Sequence, residues 1–192
     1  MLYAAQVARP VTTALLAALL WGLIFAGGCR SGGAPADEPG ENAVNGDPVE
    51  VVLFFADAAA VDTGITENGL YVAPLSRELP GGEGLVLRTL KQLSRGPLPG
   101  EGAFYGTLPV TAQILSFELT DGVAVIDYSP ELLSDSPGGS LTGIVFMQSL
   151  VFTATQFPEV EKVLVLVEGD PWSDGHFLWD EPIGRDDLSG AE

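Results

Sequence analysis

The sequence predicts an α+β domain, a mixed sheet around a central hairpin with two helices packed on one face. Three observations predict it. Asp121-Gly122 separates two runs rich in β-branched and aromatic residues, and such a pair supplies the positive φ angles of a two-residue hairpin turn. Gly84 to Arg95 and Ser140 to Phe157 carry apolar residues at helical spacing, so each needs an apolar surface to pack on. Val51 to Phe55 and Val163 to Val167 are continuous apolar runs, the pattern of strands buried on both faces.

From Met1 to Gly28 a single charge, Arg9, precedes an apolar run, Val11 to Phe25, and small residues then lead to Cys29. This is the layout of a secretory signal. Val11 to Gly28 is also just long enough to span a bilayer, so a retained transmembrane anchor is the alternative. Both place the remainder outside the cytoplasm. Residues 29–48 hold almost no large apolar side chain and cannot offset the entropy of ordering, so they form a flexible acidic tether. From Arg30 the tether reaches on the order of 25 Å as a coil and at most roughly 65 Å extended.

A folded domain is expected over 49–188, with 189–192 as a tail. The run from Val49 is its first strand. Ala56 to Asn68 is a loop of small and acidic residues, and Asp57, Asp62 and Glu67 in it lack the Asp-x-Asp-x-Asp-Gly rhythm of a calcium loop. Gly69 to Leu75 is a short strand that Pro74 confines to an edge. After Gly81-Gly82 a helix starts at Glu83, burying Val86, Leu90 and Leu93, with Arg88, Lys91, Gln92 and Arg95 on its outer face. Gly96-Pro97 stops it. Leu98 to Pro109 is a loop whose Phe104 and Tyr105 either pin it to the core or present it to a partner.

Ahead of the turn, Leu115, Phe117 and Leu119 alternate with Ser116, Glu118 and Thr120, giving one apolar face. Val123 to Tyr128 is apolar on both faces until Asp127 and belongs inside the sheet. Ser129 is placed to cap a helical turn with Pro130 at its first position. The helix from Ser140 leaves few polar positions, so it is mostly buried, and Val163 to Val167 is a second interior strand. The tail from Glu168 is irregular, with Trp172, Phe177 and Trp179 covering the end of the sheet.

Charge and composition exclude several classes. The chain has 192 residues and 26 acidic against 8 basic side chains, a net charge of −18 that repels phosphate backbones and argues against nucleic acid. With Cys29 as the single cysteine no intrachain disulfide forms. His176 alone cannot build a zinc site, and no cofactor motif is present, since Gly81-Gly82-Glu83-Gly84 lacks both a P-loop Lys-Ser/Thr and dinucleotide spacing. Asp127 and Glu131 could act as a glycosidase-like pair only if a cleft held them roughly 5 to 10 Å apart. The sequence therefore reads as non-enzymatic, with metal sites and catalytic residues absent.

The order of motifs resembles the GerMN domain family of bacterial lipoproteins. The residues that carry it are Val51 to Phe55 with the following acidic loop, Leu90-Lys91-Gln92-Leu93-Ser94-Arg95-Gly96-Pro97, Leu108-Pro109 with Ile114-Leu115-Ser116, Asp121-Gly122-Val123-Ala124-Val125-Ile126-Asp127-Tyr128-Ser129, and Val163 to Gly169. Ala26-Gly27-Gly28-Cys29 likewise resembles a lipobox, which implies an acylated Cys29 as the first mature residue. The resemblance implies a domain similar in plan to ring-building modules, extracytoplasmic, lipid-anchored to the cell membrane and without established enzyme activity. It implies an interaction module or scaffold in the cell envelope, linked to sporulation or germination, that contacts an envelope protein, a cell-wall polymer or a second copy. A lipoprotein that captures a small molecule or glycan is the alternative. The basic positions Arg88, Lys91 and Arg95 stand out on an acidic domain as a partner-binding face.

Overall fold

The structure, a computed structural model, describes residues 46–66 and 68–188. Cys29, the expected signal and nearly all of the tether lie outside the described residues, as does Glu67. The described chain is α+β, with strands divided between two sheets.

β1 (Pro48–Asp57) and β2 (Val72–Pro80) pair antiparallel, and β3 (Phe104–Tyr105) joins the far end of β1, giving the order β2-β1-β3. Pro74 lies within β2, opposite Phe54, on a strand that pairs only with β1; its missing N–H is tolerated there because β2 is an edge. The second sheet has the order β4-β5-β6-β7-β8, from β4 (Ile114–Thr120), β5 (Val123–Tyr128), β6 (Lys162–Val167), β7 (Asp170–Ser173) and β8 (Leu178–Trp179). β5 and β6 run parallel. The crossover between them carries α3 (Glu131–Ser134) and α4 (Ser140–Ala154), as a parallel connection requires.

The Asp121-Gly122 turn stands where the sequence placed it, with φ of 51° and 78°. Its carbonyl does more than close a hairpin. Gly122 O accepts the N–H groups of Glu161 at 2.7 Å and Lys162 at 3.1 Å, so the turn also fixes where β6 begins. Along β4 a bulge between Ile114 and Ser116 shifts the register and turns Leu115 outward, 54% exposed, while Phe117 and Leu119 stay half-buried opposite Ile126 and Ala124.

α2 (Leu85–Ser94) buries Val86, Leu90 and Leu93 as expected, but it starts at Leu85 after Gly84, in the left-handed conformation, not at Glu83. α2 and α4 lie against each other and against β1. One core joins Val51, Leu53 and Phe55 of β1 to Leu90 and Leu93, to Leu150 and Val151 of α4, and to Ile126 and Val165. Each fully buried side chain of this kind contributes roughly 1.5 to 3 kcal/mol.

The division into two sheets has a cause in α4 and the turn that follows it. On the edge of β1 that β2 leaves unpaired, Gln156 Oε1 accepts Val52 N–H at 2.7 Å while its Nε2 donates to Val52 O at 2.6 Å. Thr153 Oγ1 accepts Phe54 N–H, and Ser149 Oγ donates to Phe54 O. Ser149 and Thr153 fall on one face of α4, and Gln156 follows in the turn just beyond its end. That stripe occupies the place of a neighbouring strand, so β1 is satisfied without joining β5 and β6.

Other local expectations give way. The loop after β1 contains α1 (Ala58–Thr63), whose Ala59 and Ala60 N–H groups are accepted by Asp57 Oδ1. Ser129 does not cap α3: its hydroxyl accepts Gln113 N–H at 3.0 Å, tying the base of the hairpin, and Pro130 takes the capping position. α4 ends at Ala154, leaving Gln156 and Phe157 in a turn. The tail is ordered as β7, β8 and α5 (Arg185–Leu188). Trp172 and Trp179 are buried with Phe146, and Trp179 Nε1 donates to Val163 O. Arg185 donates to Phe152 O at the end of α4 and stacks over the Phe152 ring.

Candidate functional site

The carboxylates that invited catalytic or metal readings are held by separate structural bonds. Asp57 caps α1, and Asp62 accepts the Tyr105 hydroxyl at 3.1 Å. Asp127 accepts Gly169 N–H at 3.1 Å, holding the turn after β6. Glu131 is drawn below the ordinary carboxylate range by the Ser129 hydroxyl beside it. His176 is exposed in the β7–β8 connection, its N–H donated to Asp174. Among the described residues no group of three or more His, Cys, Asp or Glu side chains is arranged to hold a metal ion.

The three cations of the expected basic face separate into two roles. Arg88 is half-buried, and its guanidinium donates to the carbonyls of Pro80, Gly81, Gly82 and Glu83, so it fixes the chain entering α2. Lys91 and Arg95 are exposed, and with Ser94, Val110, Ala112, Gln113 and Ile114 they line a shallow groove beside the end of α2. Replacing Arg88 by Ala is expected to cost about 1 to 2 kcal/mol, the scale of bonds to a charged donor discounted for partial exposure. Changing Lys91 and Arg95 together to Ser is expected to stay within about 0.5 kcal/mol. Denaturant midpoints for both variants check this.

A more enclosed groove was not legible in the sequence. It measures about 240 Å³ and is lined by Ala56, Val61, Tyr105, Leu108, Pro109, Asp135, Pro137, Leu141 and Val145, with small polar neighbours between them. Its floor is a second apolar cluster in which Ala56, Val72 and Val145 are buried. β3 divides the two aromatics of its loop. Phe104 packs on Phe55, while Tyr105 turns outward, 47% exposed, onto the groove. Asp135 at its rim accepts the Thr111 hydroxyl at 2.6 Å and the Ser134 hydroxyl at 3.0 Å, bonds that hold its carboxyl below its ordinary value. Residues from α1, β3 and the start of α4 meet here, far apart in sequence, and the one local signal was the Phe104-Tyr105 pair.

The loop bearing Tyr105 is anchored from behind. Arg77, on β2 with 8% of its side chain exposed, makes a bidentate ion pair with Glu101 and donates to Gly96 O at 2.9 Å, with its guanidinium 5.4 Å from the Phe55 ring centre. Glu101 also accepts Leu98 N–H. The Gly96-Pro97 helix end, the loop and β2 are therefore locked by one charge pair.

Comparison with known proteins agrees with this architecture. No curated protein matches the chain. Among solved structures, the tandem GerMN domains of the sporulation protein GerM from Bacillus subtilis align with a TM-score of 0.58 at 16% identity, over 81% of this chain and 51% of that one, so this chain spans about half of the tandem. The first GerMN domain of the same protein aligns at 0.53 and 24% identity, over 72% of this chain and 99% of that one. A candidate lipoprotein from Clostridium perfringens gives 0.51 and 22%, over 73% and 89%. At these identities the likeness is one of fold. The family model described as Germane, sporulation and spore germination, matches residues 52–172, more than half of the sequence, and the chain belongs to that family.

Proposed function

We propose that this protein is a lipid-anchored, extracytoplasmic contact module of the cell envelope that binds another macromolecule and carries out no reaction of its own. The observation that supports it best is the contrast between two kinds of surface: the acidic side chains suited to catalysis are engaged with backbone or hydroxyl groups, while an apolar groove stays open to solvent. A volume of about 240 Å³ falls below the roughly 300 to 1,000 Å³ usual for small-molecule pockets, which at this groove favours contact with a side chain of a larger partner; the groove at Lys91 and Arg95 measures about 320 Å³. The groove at Lys91 and Arg95 offers a second, basic contact for an acidic group of an envelope protein or wall polymer.

The anchor rests on Cys29 and the run before it. Two or three acyl chains, each buried CH₂ contributing roughly 0.8 kcal/mol, hold a protein firmly on a bilayer. In cell fractions the wild type is expected with the membrane, and Cys29→Ala is expected to release it once the signal is cut. An unmodified Cys29 by mass spectrometry, or unchanged attachment of the variant, contradicts the lipid anchor. Release of soluble fragments from purified cell wall, lost on Asp127→Asn or Glu131→Gln, contradicts the non-catalytic reading.

A further inference from the structure

The groove between β3, the α3–α4 connection and the start of α4 has apolar walls, and among the described residues the one charged side chain lining it is Asp135. A second carboxylate, Asp62, follows Val61 of the lining and accepts the Tyr105 hydroxyl. Thr111 and Ser134 favour the ionised form of Asp135, so this charge persists well below neutral pH. Among the described residues no basic side chain lines the groove. The cations nearest in sequence to its walls are Arg95 and Lys91, which line the separate groove at the end of α2, while Arg77 pairs with Glu101 and Arg88 binds the carbonyls before α2.

We infer that this groove receives a peptide segment of a basic partner protein, one large apolar side chain entering between Tyr105, Leu108, Leu141 and Val145 while a neighbouring Lys or Arg meets Asp135 and Asp62. The inference rests on the contact-module reading and names its partner's chemistry. Volume fits the apolar part: with a water's share of liquid volume near 30 Å³, about 240 Å³ holds some eight waters, or one large side chain. Displacing those waters from Leu, Val and Tyr surfaces supplies the affinity. The carboxylates supply direction, and the net charge of −18 steers a cationic segment inward while repelling an anionic one. α4 opens on the groove with Gly139 as an N-cap that offers no side-chain bond, and its N-terminal dipole favours anions. That is about half a charge, screened by solvent, against two full carboxylates.

Two other occupants fit less well. The tether, residues 29–48, contains one cation, Arg30, and no aromatic or long aliphatic side chain beside it. A second copy brings its own charge of −18 and is repelled at the same distance at which a basic segment is attracted.

The test uses the full-length chain in neutral detergent micelles and three fluorescein-labelled, end-blocked hexapeptides: Gly-Lys-Leu-Phe-Lys-Gly, its counterpart with both Lys changed to Glu, and its counterpart with Leu and Phe changed to Ser. Anisotropy is expected to show the first binding at least tenfold tighter than either counterpart, and to weaken at least threefold between 50 and 500 mM salt. The double variant Asp62→Asn with Asp135→Asn is expected to lose at least fivefold with its melting temperature unchanged. Leu141→Ser, at an exposed groove position, provides an independent loss of binding should the double variant fold poorly. A benzophenone in place of Phe in the first peptide is expected to cross-link to Tyr105 or to α4 near Leu141. Equal or tighter binding of the Glu peptide, cross-links elsewhere, no binding at 50 mM salt, or concentration-dependent self-association abolished by Leu141→Ser each overturns the inference. If the peptides fail while groove positions still cross-link to an envelope protein in cells, the contact-module reading stands and only this partner chemistry falls.

Discussion

Replacing Arg77 by Met is expected to destabilise the domain by about 3 kcal/mol, enough to lower its melting temperature by roughly ten degrees. The guanidinium is nearly buried and makes both bonds of the pair with Glu101, together with a carbonyl bond that closes the end of α2. Removing it leaves a carboxylate without its partner, and the lower end of the buried-pair range applies because Glu101 keeps 20% of its side chain exposed. A pH signature separates this from a packing effect. The Arg77 hydrogen bonds hold the Glu101 carboxyl below its ordinary value, against some desolvation, with Leu98 N–H adding to the shift. A depressed folded value means that the contribution is fully present above the unfolded value of about 4.3 and is lost as pH falls through the folded one. In Glu101→Gln the acid limb of the stability curve should therefore be shallower than in wild type below about pH 4, with the curves parallel above pH 6. Parallel curves throughout would show that the pair contributes nothing to folding.

Gly122→Val is expected to cost about 2 to 3 kcal/mol. Gly122 has a φ of 78°, and a β-branched residue held there carries strain of order 1 to 3 kcal/mol. A Cβ at this position would also stand 3.1 Å from Glu161 Cγ. Glu161 supplies one of the two N–H groups that Gly122 O accepts, so the substitution disturbs the start of β6 as well as the hairpin. Gly122→Asn, which tolerates positive φ, is expected to lose less than half as much. A denaturant midpoint shift as large for Asn as for Val would mean that the cost comes from the Glu161 contact rather than from the backbone.

The parts of the fold that the sequence revealed are those whose physics is local. Asp121-Gly122 specifies its turn by φ alone, Val86, Leu90 and Leu93 form a stripe by spacing alone, and Val163 to Val167 reads as interior because it has no polar face. The two sheets were hidden because Gln156, Thr153 and Ser149 look like interruptions in an apolar helix, whereas their bonds to β1 span about a hundred residues of sequence. Arg88 was legible as a cation on a helix, but its four carbonyl partners come from a turn whose path spacing does not specify. The groove was hidden for the same reason: Val61, Tyr105, Asp135 and Leu141 are unremarkable singly, and only the packing of α1, β3 and α4 makes them neighbours.

The central claim, that the domain acts by contact through this groove, is tested most directly in intact cells of the source organism by photo-cross-linking. A photoreactive phenylalanine analogue placed at Tyr105 or Leu141, both on the groove, is compared with one at Leu178, which is 60% exposed and does not line the groove. The account expects one discrete higher-mass adduct, the same from Tyr105 and Leu141 and absent from Leu178, in membrane fractions. Adducts of equal yield from all three positions, or none from the groove positions while Leu178 cross-links, would contradict it.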